Sequence, residues 1–121
     1  MNKSQALQTF WGRFGLPAYD QNTVPQSARM PYITYSVSEN DYSYPVALTA
    51  SIWYRSQSWE EPELKSYEIA KALSSVYTFP IDGGRLWLYK GSPFAQRLAD
   101  NTDDTVRRIV VNVTAEFLTS E

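Results

Sequence analysis

The sequence predicts an α+β domain in which a four-stranded, mainly antiparallel sheet carries two helices packed on one face. Three observations support this prediction. The chain has 121 residues, a common length for one domain. Two stretches repeat apolar residues at helical spacing, and four stretches alternate apolar with polar residues. The elements follow the order α-β-β-α-β-β, so we expect residues 1–121 to form a single domain with two hairpins and one core.

The first helix is predicted by one apolar stripe, in which residues recur at positions i, i+3, i+4 and i+7. Gly15 is a plausible stop, and Pro17 cannot continue the helix. Residues 18–30 contain short polar residues and one proline, Pro25, and are predicted to form a loop. We expect the stripe to face the core; it consists of Leu7, Phe10, Trp11 and Phe14.

The first hairpin is predicted from two alternating stretches, at residues 31–37 and 46–55. Residues 39–43 form a polar tip between them. A second helix is expected to begin near Ser58 to Glu61 and to end at residues 76–79, before Pro80.

The second hairpin is predicted from strands at residues 85–90 and 106–118, joined by a long connection over residues 91–104. Loops of this length are uncommon in compact domains and usually have a function. We expect this connection to be a contact element that becomes ordered on assembly. The alternative is a rigid hairpin extension packed on its own domain.

The composition disfavours an enzyme. The chain contains no histidine and no cysteine, which removes the commonest general base, the thiolate nucleophile and the usual zinc ligands. Asp100, Asp103 and Asp104 lack the ligand spacing of a calcium loop. We therefore expect no catalytic residue, no cofactor and no metal site.

Charge and hydropathy exclude two further classes. The net charge is −2 and the isoelectric point is about 5.1, whereas nucleic-acid binders normally carry a basic surplus. No apolar run approaches the ~20 residues of a membrane helix, and the first residues do not resemble a secretory signal. We expect no membrane partner, no sequence-specific nucleic acid, and synthesis in a cytoplasm.

Eight side chains are candidates for contacts between subunits. A four-stranded sheet covered by two helices leaves one face open, and strand alternation assigns aromatic and polar residues to that face or its edges. The connection over residues 91–104 adds two apolar side chains and one cationic side chain. The candidates are Tyr32, Trp53, Arg55, Trp87, Tyr89, Phe94, Arg97 and Leu98.

The aromatic strand residues also suggest RNA binding, because sheet aromatics stack on bases in RNA-recognition motifs. That motif has the order βαββαβ and an Arg/Lys-Gly-aromatic signature, and this sequence has neither. Packing or subunit contact is therefore the preferred interpretation.

Several segments in this order and spacing resemble the tail-terminator (tail-completion, minor tail) proteins of long-tailed bacteriophages. The resemblance extends along nearly the whole chain, and no single segment is diagnostic. The segments are Phe-Gly-Leu-Pro-Ala-Tyr (14–19), Val-Pro (24–25), Pro-Tyr-Ile-Thr-Tyr (31–35), Ile-Trp-Tyr-Arg-Ser (52–56), Ser-Trp (58–59), Gly-Gly-Arg-Leu-Trp-Leu-Tyr-Lys-Gly-Ser-Pro-Phe-Ala-Gln (83–96) and Thr-Ala-Glu-Phe (114–117).

The resemblance implies a homo-hexameric ring that caps the tail tube, ends its polymerisation and forms the tail side of the head–tail joint. Its partners would be other copies of the chain, the tail tube protein and a head–tail connector protein, with DNA passing through the ring. The location would be the head-proximal end of the virion tail, and the host cytoplasm during assembly. A head–tail stopper or adaptor, and more distantly an RNA-binding or enzymatic α+β domain, are the alternatives.

Overall fold

The computed structural model describes residues 1–38, 44–99 and 102–119. The predicted tip at residues 39–43 therefore lies outside the described residues, as does Asp100. The chain begins with helix α1, and a 3₁₀ turn follows it at Gly12–Phe14. The elements are α1 Lys3–Trp11, β1 Ala18–Asp20, β2 Tyr32–Tyr35, β3 Val46–Arg55, α2 Glu60–Ala72, β4 Tyr77–Ile81, β5 Gly84–Ala99 and β6 Val106–Thr119.

The predicted four-stranded sheet is wrong. The described residues form one six-stranded mixed sheet in the order β1-β2-β3-β6-β5-β4. β1 pairs with β2 in parallel, and the remaining neighbours are antiparallel. The fold is therefore mostly β, with two short helices, and the predicted order α-β-β-α-β-β lacks two strands.

β1 lies in the segment predicted to be a loop. It has three residues, too few to show an alternating pattern, and its register is set by pairing Ala18 with Ile33 of β2. The strand is held from its other side by α1, because Gln8 Nε2 donates a hydrogen bond of 3.1 Å to the carbonyl oxygen of Ala18. Partners distant in sequence therefore define this strand.

β4 lies where the second helix was predicted to end. α2 ends at Ala72, and the chain turns directly into a strand that pairs with β5 through the turn at Asp82 and Gly83. Gly83 has φ +84°, a conformation that glycine adopts without steric cost. β4 is an edge strand, where Pro80 is tolerated although it has no N–H to donate.

β5 continues through most of the predicted connection at residues 91–104. The pairing with β6 shifts register between Lys90 and Ala95 and then resumes at Ala95 opposite Val111. Inside this β-bulge, Asn112 Nδ2 donates a hydrogen bond of 2.8 Å to the carbonyl oxygen of Pro93. Residues 91–99 are thus part of a strand paired within its own domain, which agrees with the alternative of a hairpin extension, and the prediction that these residues form a loop is wrong.

The core lies between the two helices and one face of the sheet. The predicted apolar stripe is confirmed, because its four side chains, three in α1 and Phe14 in the 3₁₀ turn, are at most 5% exposed. Phe10 makes edge contacts with three rings, those of Trp11, Phe14 and Tyr77. Ile69 of α2 and Leu73, the residue that caps the C-terminal end of this helix, belong to the same cluster.

Gly12→Ala is expected to stabilise the fold by about 0.4–1 kcal/mol. Gly12 has φ −73° and ψ −7°, which alanine adopts readily, and an added Cβ would meet no atom within 4 Å. The gain comes from restricting the unfolded chain, and chemical denaturation measures it. Gly15→Ala is the control: its φ of +81° disfavours a side chain, so that variant should lose stability. A loss of stability in the Gly12→Ala protein would contradict the observation that a Cβ at this position meets no other atom.

Candidate interaction surface

The register assigns each strand residue to one of two faces. One face packs against α1 and α2 and carries the buried core residues of the central strands. We call the opposite side of the sheet the open face. Six of the eight candidate contact residues belong to it: Tyr32, Trp53, Arg55, Trp87, Tyr89 and Leu98.

Trp53 is the centre of an aromatic cluster on the open face. The Arg108 guanidinium lies 4.6 Å from its ring centroid, and the Tyr32 ring lies 6.4 Å away. Trp53 Nε1 donates a hydrogen bond of 2.9 Å to Thr34 Oγ1, and Arg108 Nε donates one of 3.0 Å to Ser51 Oγ. The polar groups are therefore paired within the chain, and a half-exposed aromatic surface is held in a fixed arrangement.

A second aromatic group lies on the β5 side of the same face. Trp87 is flanked by Thr78 of β4 and Glu116 of β6, and the Tyr89 hydroxyl lies 3.5 Å from Glu116 Oε1. Desolvation, followed by the negative charge of Glu116, raises the pKa of Tyr89. A phenol with the ordinary pKa of 10.0 is already protonated at neutral pH, and the raised pKa keeps Tyr89 able to donate a hydrogen bond in more alkaline solution as well.

Arg55 closes one corner of the open face. Its Nη1 donates hydrogen bonds of 3.1 Å to Asp103 Oδ2 and 2.9 Å to Thr105 Oγ1. Thr105 in turn donates to Asp103 Oδ1 from its hydroxyl at 2.6 Å and from its backbone N–H at 2.9 Å. The segment that precedes β6, residues 103–105, is therefore hydrogen-bonded to the end of β3 through Arg55.

The carboxyl of Asp103 is expected to titrate below its ordinary pKa of 3.8, because the two Thr105 hydrogen bonds, followed by Arg55, favour the charged form. A lowered folded pKa means that this carboxylate stabilises the fold above the unfolded pKa. The contribution is lost as the pH falls through the folded value. Thr105→Ala should raise the pKa of Asp103, as measured by NMR titration, whereas Thr105→Ser keeps a hydroxyl and should change it less. Equal pKa values in all three proteins would contradict this arrangement.

Arg97 and Phe94 lie away from the open face. The bulge shifts the parity of β5, so that Arg97 faces Ile109 on the helix side. There it pairs with Glu63 of α2, and its guanidinium lies 4.9 Å from the Trp59 ring centroid. Phe94 is half-buried against the core. The two residues are thus placed in contacts within the chain.

Sequence reasoning missed two exposed apolar side chains on α2. Leu64 is 63% exposed and Tyr67 is 71% exposed. Both point away from the buried Ile69 on the same helix. The signal was present in the sequence, because residues spaced i, i+3 share a helix face and both members of this pair are large and apolar.

Among the described residues, acidic side chains nowhere gather in a group of three or more that could hold a metal ion. One cleft of about 150 Å³ lies beside Arg97, and another of about 190 Å³ lies between α1 and β4. Neither α1 nor α2 is long and apolar enough to cross a membrane.

These features define a class of protein: a mixed six-stranded sheet with one helix-covered face and one open face rich in paired aromatic and polar side chains.

The sequence matches no known protein-family model and no curated protein. A solved structure shares the fold. It is a chain from the "virion of native gene transfer agent (GTA) particle", with a TM-score of 0.62 and 16% sequence identity. The match covers 92% of this chain and 83% of that chain.

Proposed function

We propose that this protein is a non-catalytic structural subunit of a bacteriophage-type virion. The observation that carries the proposal is the fold shared with a virion chain over 92% of this sequence. The absence of histidine and cysteine agrees with a structural role. The open face supplies aromatic rings that a neighbouring subunit can bury. The polar groups at the edges of these rings are already hydrogen-bonded within the chain, so burial leaves them satisfied.

Within that class, the finer proposal is a tail terminator. Copies of the chain form a ring, with six as the proposed number, at the head-proximal end of the tail. The ring caps the tube, ends its polymerisation and presents a surface to the head–tail connector protein. The sequence segments described above, from Phe14 to Phe117, support this role. The proposed partners are other copies of the chain, the tube protein and the connector.

Removing the coding sequence from a particle-producing genome tests the proposal. A tube without its cap continues to polymerise, so overlong tails that fail to join heads are expected in electron micrographs. Expression of the intact chain in trans should restore tail length and head joining. The purified particles should contain the protein at the head-proximal end of the tail.

Two outcomes would contradict parts of this proposal. Tails of normal length that fail to join heads would exclude a terminator and indicate a stopper or adaptor at the connector. Absence of the chain from purified particles would exclude a virion subunit altogether. Negative-stain images of the purified protein, with and without tail tubes, would show whether rings form alone or only on the tube.

A further inference from the structure

α2 carries an apolar projection on its solvent side. Leu64 and Tyr67 lie one turn apart and are 63% and 71% exposed, respectively. We call this pair the α2 knob. Exposed apolar residues scattered singly need no explanation, but here two large ones are adjacent on a helix whose opposite side is buried through Ile69.

A cleft of matching size lies elsewhere on the same chain. It is an apolar cavity of about 190 Å³ between α1 and β4, which we call the α1–β4 pocket. In other proteins a cavity of about 150 Å³ holds a benzene ring, so this one accommodates a tyrosine ring or a leucine side chain. Its lining includes no residue of α2; the lining residues are Met1, Thr9, Phe10, Tyr77, Phe79 and Pro80.

The two surfaces also differ in charge. α2 begins with Glu60 and Glu61, whereas Glu63 and Glu68 pair within the chain with Arg97 and Lys65. Beside the pocket, the Arg13 guanidinium lies 4.7 Å from the Tyr77 ring centroid. α1 contains Lys3 and no acidic residue. Complementary charges of this kind orient two subunits and select the correct register.

We propose that the α2 knob of one copy inserts into the α1–β4 pocket of a second copy. The two surfaces differ, so the contact is head-to-tail, and repetition of such a contact closes into a ring when the rotation permits. The inference rests on the ring in the proposed function and adds the lateral contact that joins its subunits. The open face is then left for a different subunit above or below the ring.

Strand addition at β4 is the competing way to join copies through this region. Pro80 lacks an N–H for a neighbouring strand. At the end of β4 the Asp82 N–H already donates a hydrogen bond of 2.9 Å to the carbonyl oxygen of Met1. The N-terminal amine also pairs with Asp82 Oδ1 at 2.8 Å. The edge of β4 is therefore poorly suited to pairing, and side-chain insertion beside it is the better-supported contact.

Disulfide trapping tests the contact directly, because the chain has no cysteine of its own. Two variants, Tyr67→Cys and Thr9→Cys, are co-expressed with wild-type protein in particle-producing cells, and purified particles are oxidised. We expect a mixed disulfide dimer that neither variant forms alone. With both cysteines in one chain, the cross-linked ladder should end at the number of subunits in the ring. The control pair is Tyr44→Cys with Thr9→Cys, since Tyr44 is 79% exposed and lies outside the knob.

The double variant Leu64→Ser/Tyr67→Ser supplies a second measurement. It should fold normally and assemble at least ~30-fold less well than wild type, the effect of losing one interface hot spot, while Tyr44→Ser assembles normally. If purified particles contain the protein but give no more mixed disulfide dimer than the control pair, the contact between the α2 knob and the α1–β4 pocket is wrong. The proposed function is not contradicted by that result. Wild-type protein absent from particles overturns the proposed function, and the contact with it.

Discussion

Phe10→Ala is expected to lower the free energy of unfolding by about 3–5 kcal/mol. Phe10 is 1% exposed and contacts the rings of Trp11, Phe14 and Tyr77. Its removal leaves a cavity where α1 meets β4, and several aromatic contacts lose their partner. Domains of this kind have total stabilities of about 5–15 kcal/mol, so the loss is a large fraction of the whole. Denaturant unfolding monitored by tryptophan fluorescence measures it.

Leu64→Ala is the matched control for Phe10→Ala, because it also truncates a large apolar side chain on a helix. Leu64 is 63% exposed, and its truncation should change the stability by no more than about 0.5 kcal/mol. A Phe10→Ala protein as stable as this control would show that the apolar stripe of α1 does not form the core.

Leu98→Asp is expected to weaken assembly by at least ~30-fold, while the isolated domain stays folded. Leu98 is 43% exposed on the open face, and Arg108 is its neighbour on β6. An aspartate there faces this cation across the strand pair, so the monomer tolerates it. A charge brought under a neighbouring subunit must lose its water, which opposes association. The yield of particles with joined heads and tails measures the effect.

Val76→Asp is the matched control for Leu98→Asp. Val76 is also 43% exposed, and it lies between α2 and β4, away from the open face. The Val76→Asp substitution introduces the same charge at the same degree of exposure, and it should leave assembly unchanged. If Leu98→Asp particles assemble like wild type, the open face around Leu98 is not a contact surface.

The two faces of the sheet were predictable where strands are long and regular. In β3 and β6 the alternation extends over many residues, so Ile52 and Val111 fall on the buried face and Trp53 on the other. This pattern is local, because successive side chains of a strand point to opposite sides. It placed Trp53 and Arg55 on the open face without any knowledge of the pairing.

The position of Arg97 could not be predicted in the same way. Counting in steps of two from Trp87 and Tyr89 would place it with them, but the bulge between Lys90 and Ala95 changes the parity of the strand. Arg97 therefore contacts Glu63 and Trp59 on the helix side. A bulge is stabilised by contacts with the partner strand, here through Asn112, and leaves little local signal in the sequence.

The sequence by itself determined the parts whose stability is encoded within one segment: the buried stripe of α1, the start of α2, the alternation of β3 and β6, and the lack of histidine and cysteine. Only the tertiary structure decided the edges of the sheet and the course of β5. β1 has three residues and is defined by its pairing with β2, and β4 is defined by its pairing with β5. Strand pairing joins residues that are distant along the chain, so short strands and register shifts acquire their free energy only when the partner strand is in place.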